Sequence, residues 1–280
     1  MHARKSKYAK KILGREYMFT VNPFVELSGL ISPLAMQIFV IVMVILTVGG
    51  TILDMIHKKN AQYFFENAKE LKKSATRHVP TGEKISIIVK TLAHDVATSA
   101  EFCGFQRRLA HLLGMYGTII FWVTSVIMIF TYPTSSSTPI IYPFLWHLGA
   151  LMTCIGGYWF WFILRVDVRA EGNPWHRIVM ADLFVLALVA TSTFGLLWSY
   201  FQSSGMSGLS TLFLILFIVS NIILFGGVYW SKFAHMFYKP GAAIQKHLAE
   251  ADGSRDFLPE PVDKPKEYGL GIKRSEPQNY

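Results

Sequence analysis

The hydrophobic positions of this chain fall into five long blocks that are separated by polar segments. The blocks cover residues 34–53, 112–130, 143–164, 178–200 and 210–230. Each block is close to the roughly 20 residues that a helix needs to cross the hydrocarbon layer of a bilayer. The pattern predicts an all-α integral membrane protein with about five transmembrane helices in a bundle.

The polar segments between the blocks differ sharply in charge. Loops 131–142 and 201–209 contain no charged residue, whereas segments 54–111, 165–177 and 231–280 carry ten, three and eight lysines and arginines. By the positive-inside rule the basic segments face the cytoplasm. We therefore expect a multi-pass membrane protein with its C-terminus in the cytoplasm. With five spans the N-terminus would then lie outside. The six basic residues near the N-terminus argue against this, and a missed re-entrant segment within 17–33 would place the N-terminus inside.

Three regions follow from this pattern: a polar basic segment 1–33, a bundle 34–240 that includes the cytoplasmic loop 54–111, and a polar tail 241–280. Within the loop, apolar residues recur at helical spacing, which predicts an amphipathic helix that lies on the membrane or on a partner; they are Ile85, Ile88, Val89, Leu92 and Val96. The last 30 residues hold four prolines among mixed charges. We expect this tail to be disordered or to wrap another protein.

Composition narrows the classes of function. Hydrophobic residues make up 52% of the chain and charged residues only 16%, too little charge to cover a soluble globule. The net charge of +9 lies beside the membrane segments, so it indicates topology and lipid contact and not nucleic-acid binding. The two cysteines, Cys103 and Cys154, are too few for an iron–sulfur cluster.

Histidine is then the residue type that can bind a redox cofactor, because a neutral imidazole nitrogen ligates haem iron. Nine histidines occur. His111 precedes the second block and His235 follows the fifth, so both are expected at the cytoplasmic surface. A haem held by two imidazoles needs its ligands at the same depth.

Three stretches, 94–117, 142–157 and 229–240, resemble the membrane cytochrome b family, with sequences HDVATSAEFCGFQRRLAHLLGMYG, YPFLWHLGALMTCIGG and YWSKFAHMFYKP. That family includes the nitrate reductase gamma subunit and the membrane subunits of the Qmo and Dsr complexes. Within it, the chain is most similar to the small membrane anchor of dissimilatory adenylylsulfate reductase. The resemblance implies a b-type haem held by His111 and His235.

The same resemblance limits the number of haems. Family members with two haems carry further histidines where this chain has Phe121 and Phe217. Phe217 precedes His235 by 18 residues, which is five full turns, so we expect the two to share a face of the fifth helix, about 27 Å apart along its axis. We therefore expect one haem at most.

Asp182 is the acidic residue that lies well inside an apolar block. A carboxylate there is costly unless it has a role or a partner, and proton exchange at a quinone site with His176 and Arg177 is one role. The alternative is a helix N-terminal carboxylate in the headgroup zone, stabilised by the helix dipole.

Together these features predict a membrane anchor that passes electrons between a cytoplasmic oxidoreductase and the quinone pool, with no substrate chemistry of its own. The resemblance implies the alpha and beta subunits of adenylylsulfate reductase as partners. The alternative is a haem-free structural anchor for the same kind of enzyme. A channel or transporter is disfavoured because the sequence has neither an internal repeat nor a row of intramembrane charges.

Overall fold

The computed structural model describes residues 18–100, 102, 104–134, 137–167 and 172–255. These residues form helices joined by turns. The α-helices, in chain order, are α1 (Pro23–Leu27), α2 (Pro33–His57), α3 (Asn60–Ser74), α4 (Thr81–Lys90), α5 (Phe105–Thr131), α6 (Ile141–Trp159), α7 (Leu183–Ser203), α8 (Ser207–Gly226) and α9 (His235–Asp252). A π-helical segment, Thr91–Val96, extends α4, and another, Phe160–Leu164, extends α6.

Five of these helices are long and apolar enough to cross a membrane, which confirms the predicted all-α membrane fold. They are α2, α5, α6 with its π-helical extension, α7 with the preceding 3₁₀ turn, and α8. Large apolar side chains on α2 stand exposed, including Leu34 at 65%, Ile45 at 61% and Val48 at 54%. An apolar surface of this extent is stable in lipid and not in water.

The tightest packing in the bundle is between α5 and α6, because each presents a glycine to the other. A Cβ added to Gly117 would lie 2.7 Å from the backbone nitrogen of Thr153, and one added to Gly149 would lie 2.7 Å from the backbone nitrogen of Phe121. Small residues at such positions let transmembrane helices approach closely, and van der Waals contact then replaces the hydrophobic effect that lipid cannot supply.

One end of the bundle, the uncharged end, holds loops 131–142 and 201–209 and the short helix α1. The side-chain amide of Asn22 donates to the backbone oxygen of Tyr132 at 3.0 Å, and that of Gln202 donates to the backbone oxygen of Pro23 at 3.0 Å. Phe24 inserts its ring between the helices, beside Trp146 and Trp198. The described part of the N-terminal region therefore caps this end. The basic residues before it lie outside the described residues.

The opposite end, the basic end, carries α3, α4 and α9. The predicted amphipathic helix of loop 54–111 is present as α4 and its π-helical extension, which pack against α9. Helix α9 continues past residue 240, after which the sequence predicted a polar tail. Its end is held against the rest of the chain by the backbone nitrogens of Thr76 and Arg77, which donate to the backbone oxygen of Asp252. Residues 256–280, on which the tail prediction rests, lie outside the described residues.

Candidate functional site at the basic end of the bundle

His111 lies in the second turn of α5 with its side chain exposed. Its Nδ1 atom is 3.0 Å from the hydroxyl of Ser99, and the ring of Phe102 lies 4.8 Å away, centroid to centroid. Hydrogen bonding at Nδ1 fixes the orientation of an imidazole and is how proteins hold histidines that ligate through Nε2. The turn at residues 97–102 thus positions His111.

His235 is the first residue of α9, and its side chain lies outside the described residues. The residue two positions before it contacts α5, and the residue four positions after it contacts the turn that precedes α5. Before it, Phe233 stacks on Trp122 with 6.0 Å between ring centroids. After it, the Lys239 ammonium lies 5.3 Å from the ring of Phe102, the same ring that packs on His111.

Trp122 and His111 share a face of α5, because eleven residues make about three turns and span about 16 Å along the axis. Phe233 contacts this face at Trp122, and Lys239 contacts the Phe102 ring that packs on His111. The segment that contains His235 therefore begins beside Trp122 and lies at the same end of the bundle as His111. That the two histidines ligate one iron stays a prediction.

The face of α5 that bears His111 has two features that bear on whether a flat prosthetic group could bind there. The indole N–H of Trp122 is buried, and no acceptor for it lies among the described residues. At Gly114, three residues after His111, a Cβ would meet no described atom within 4 Å. Unsatisfied buried donors are rare in proteins and often mark where a group binds. Open space one turn from His111, and an unused donor three turns along the same face, are compatible with a haem.

The five-turn relation between Phe217 and His235 is wrong. Helix α8 ends at Gly226, and turns occupy residues 227–234 before α9 begins. Adjacent glycines at 226 and 227 have poor helix propensity, and a Cβ at Gly227 would lie 2.5 Å from the backbone oxygen of Ile223 and 3.0 Å from the side chain of Leu183. The two residues therefore lie on different helices.

Phe121 and Phe217 belong to an aromatic cluster in the half of the bundle nearer the uncharged end. Phe121 is buried, and its ring centroid lies 5.0 Å from that of Trp146 and 6.3 Å from that of Phe217. Trp198 stacks on Phe217 at 5.6 Å. These rings pack against one another in the interior of the bundle.

His147 also lies towards the uncharged end and is fully buried. Its Nδ1 atom is 2.7 Å from the backbone oxygen of Pro143, and its Nε2 atom is 2.8 Å from the hydroxyl of Ser199. Both ring nitrogens therefore have protein partners. Since Nδ1 must donate to the carbonyl, Nε2 accepts from the hydroxyl. This histidine links α6 to α7 by a hydrogen bond, and it is not positioned to ligate haem iron.

The three candidate quinone-site residues have separate partners. Asp182 accepts hydrogen bonds from the buried Arg165 guanidinium at 2.5 Å and from the backbone nitrogen of Val179 at 2.9 Å. Arg177 donates to the side-chain oxygen of Asn173 at 3.1 Å, and the ring of His176 packs edge-on against Trp175. Arg165, whose guanidinium also lies 4.2 Å over the ring of Trp161, was not identified from the sequence.

Asp54 is a second buried carboxylate that the sequence interpretation missed. It follows the first apolar block by one residue and was assigned to the loop, yet α2 continues past it and leaves it 2% exposed. Its carboxylate accepts a hydrogen bond from the hydroxyl of Tyr238 at 3.0 Å and pairs with the Lys58 ammonium. Burial and the Asp54 carboxylate raise the pKa of Tyr238 to about 12.

The basic end also contains a titratable contact between α9 and the π-helical segment. Asp95 accepts from His247 Nε2 at 2.6 Å and contacts His94 Nδ1 at 2.9 Å. The hydrogen bond to Asp95, reinforced by Glu250, raises the pKa of His247, whereas hydrogen bonding to His94 and His247 lowers the pKa of Asp95. A charged His247 thus holds α9 against the turn that positions His111.

These features define a multi-pass α-helical membrane protein with its charged, histidine-bearing surface at one end. No protein-family model, curated protein or solved structure matches the chain.

Proposed function

We propose that this protein is a membrane anchor that transfers electrons between a cytoplasmic oxidoreductase and the quinone pool through one b-type haem. The observation that supports the proposal is that the segment around His235 contacts Trp122 of α5 through Phe233, and through Lys239 the Phe102 ring that packs on His111. These contacts bring two histidine-bearing segments from distant parts of the sequence to the basic end.

His111 and His235 are the residues that would hold the haem. Bound haem supplies one-electron chemistry, since its iron cycles between the ferric and ferrous states. Ser99 orients the His111 ring, and the open space at Gly114 and the indole N–H of Trp122 border the same face of α5. Aromatic packing of Phe121 and Phe217 supports a single haem and not two.

The partner is proposed to be a soluble enzyme that docks at the basic end, with adenylylsulfate reductase as the candidate from the sequence resemblance. Support comes from the uneven charge: lysines and arginines concentrate in segments 54–111 and 231–280. Opposite charge on a partner would speed its docking and orient it. In this proposal the basic end faces the cytoplasm, as the positive-inside rule favours, and the membrane is a bacterial inner membrane.

Asp182 remains the proposed proton-exchanging group at a quinone site, with His176 and Arg177 on the same connection between α6 and α7. Its ion pair with Arg165 supplies the partner that a carboxylate at this depth requires. Quinone reduction takes up two electrons and two protons, so a carboxylate at the membrane boundary is suited to deliver a proton from water.

The test is the reduced-minus-oxidised optical spectrum of the purified full-length protein. We expect a b-type signal with no more than one haem per chain, lost in His111→Ala and in His235→Ala because one imidazole then faces water or a poor ligand. His147→Ala, in the other half of the bundle, and His94→Ala, on the exposed loop, should both keep the signal.

Two haems per chain, or an unchanged spectrum in both ligand variants, would contradict the assignment. Size-exclusion profiles identical to that of the unsubstituted protein establish that a lost signal reflects lost ligation. Absence of haem from protein purified from its native membrane would favour the haem-free structural anchor, in which electrons pass directly from the partner's cofactor to a bound quinone.

A further inference from the structure

An exposed apolar stripe runs along α4 and its π-helical extension. It consists of Ile85, Val89 and Leu92, whose side chains are 56%, 58% and 43% exposed. Their spacings of four and three residues place them on one helix face. Another face, with the buried Thr91, belongs to the side of the segment that packs on α9. The stripe is therefore a side of the helix that the described residues leave exposed.

The depth of this stripe follows from its attachment to α5. Just after the π-helical segment, the backbone oxygen of Ala97 accepts from the hydroxyl of Tyr116 at 2.6 Å, and that of Thr98 accepts from Arg108 Nε at 2.7 Å. Helix α5 has 27 residues and so spans about 40 Å, against about 30 Å of hydrocarbon. Its first turns therefore project from the hydrocarbon layer.

The membrane boundary then lies between the charged Arg108 and the apolar turns around Tyr116. Because residues 97 and 98 are bonded to those two side chains, they lie at the boundary too. The backbone nitrogen of Ala97 donates to the backbone oxygen of Leu92 at 3.0 Å, one turn of the π-helical segment away, which keeps the Leu92 end of the stripe near the same level.

Two lysines flank the stripe. Lys84 precedes Ile85 and Lys90 follows Val89, so each is rotated by about 100° from the stripe, in opposite directions. Both are exposed. Lysines beside an apolar helix face extend their ammonium groups to lipid phosphates while their methylene stems cover apolar surface. This arrangement is typical of helices that lie in the plane of an anionic membrane surface.

We propose that Ile85, Val89 and Leu92 insert into the headgroup boundary of an anionic bilayer, with Lys84 and Lys90 on lipid phosphates. The turn that positions His111 is then anchored to the membrane on one side and to α9 on the other. This membrane contact is independent of haem and of the soluble partner.

The experiment uses the full-length protein, with Cys103 and Cys154 replaced by serine, in nanodiscs of phosphatidylcholine alone or mixed with phosphatidylglycerol. An environment-sensitive fluorophore is attached to Val89→Cys, and Ser86→Cys, an exposed position off the stripe, is the matched control. Leu92→Cys provides a second stripe position. Nitroxide-labelled lipid serves as the quencher.

We expect the probes at 89 and 92 to emit at shorter wavelength than the probe at 86 and to be quenched several-fold more strongly. Phosphatidylglycerol should increase quenching at 89, and Lys84→Glu combined with Lys90→Glu should abolish that increase. Equal quenching at 89 and 86 would overturn the proposal. The proposal would also be overturned if the probe at 89 became shielded only after the soluble partner was added. Quenching at 89 that did not change with the phosphatidylglycerol content would overturn it as well.

Discussion

The contact between Asp54 and Tyr238 makes a quantitative prediction about how α9 is held on the bundle. Tyr238→Phe removes one hydroxyl and keeps the ring, so it deletes the hydrogen bond to the carboxylate with little change in packing. A hydrogen bond to a charged group contributes about 1.5–3 kcal/mol, and removal of the donor leaves a 2% exposed carboxylate with fewer partners. The Lys58 ammonium remains, which places the expected cost in the lower part of that range.

Hydrogen–deuterium exchange read by mass spectrometry measures this cost locally. If α9 exchanges by detaching from α2, a loss of about 1.5–3 kcal/mol raises its exchange rate roughly ten- to hundred-fold. Peptides from residues 235–252 should show this increase, whereas peptides from α6 should be unchanged. In the unsubstituted protein, the exchange rate of α9, corrected for intrinsic rates, should also rise between about pH 10 and the raised pKa of Tyr238, about 12. The reason is that the phenol of the detached segment loses its proton at a lower pH than the phenol in the folded protein.

Tyr63→Phe is the matched control, since the side chain of Tyr63 is 62% exposed and its hydroxyl should contribute little. The reasoning is refuted if α9 exchanges equally fast in the Tyr238→Phe and unsubstituted proteins. It is equally refuted if α6 accelerates as much as α9, because the substitution would then have destabilised the whole bundle and not one contact.

Two further predictions concern pH and topology. Because the pKa of His247 is raised, its contact with Asp95 stabilises α9 fully below about pH 6.5, and this stabilisation is lost as the pH rises through the raised pKa. Hydrogen exchange of residues 235–252, corrected for intrinsic rates, should therefore become faster over that pH range. His247→Gln should remove this pH dependence. Single cysteines in loops 131–142 and 201–209, in the background without Cys103 and Cys154, should react with an impermeant reagent in whole cells, and reaction only after lysis would reverse the orientation.

The buried polar groups show why a sequence predicts some functional residues and misses others. Asp182 was identifiable because it stands inside an apolar block, but its partner Arg165 comes from the end of another helix, and no local pattern links the two. The burial of Asp54 was not predicted, because this residue adjoins a charged loop. A residue at that position faces water or protein according to what packs on it, and α9 returns from a distant part of the chain to cover it.

The number and approximate bounds of the spanning helices were determined by the sequence alone, because lipid requires each span to satisfy its own backbone hydrogen bonds and to be apolar over a fixed length. The periodicity of residues 85–96 likewise predicted a helix in the loop. Tertiary structure decided the rest: the break at Gly226 that separates Phe217 from His235, the cap formed by α1, and the position of α9 against α2 and against α4 with its π-helical extension. Those features depend on contacts between residues far apart in sequence, and a one-dimensional pattern of apolar and polar positions does not record which faces meet.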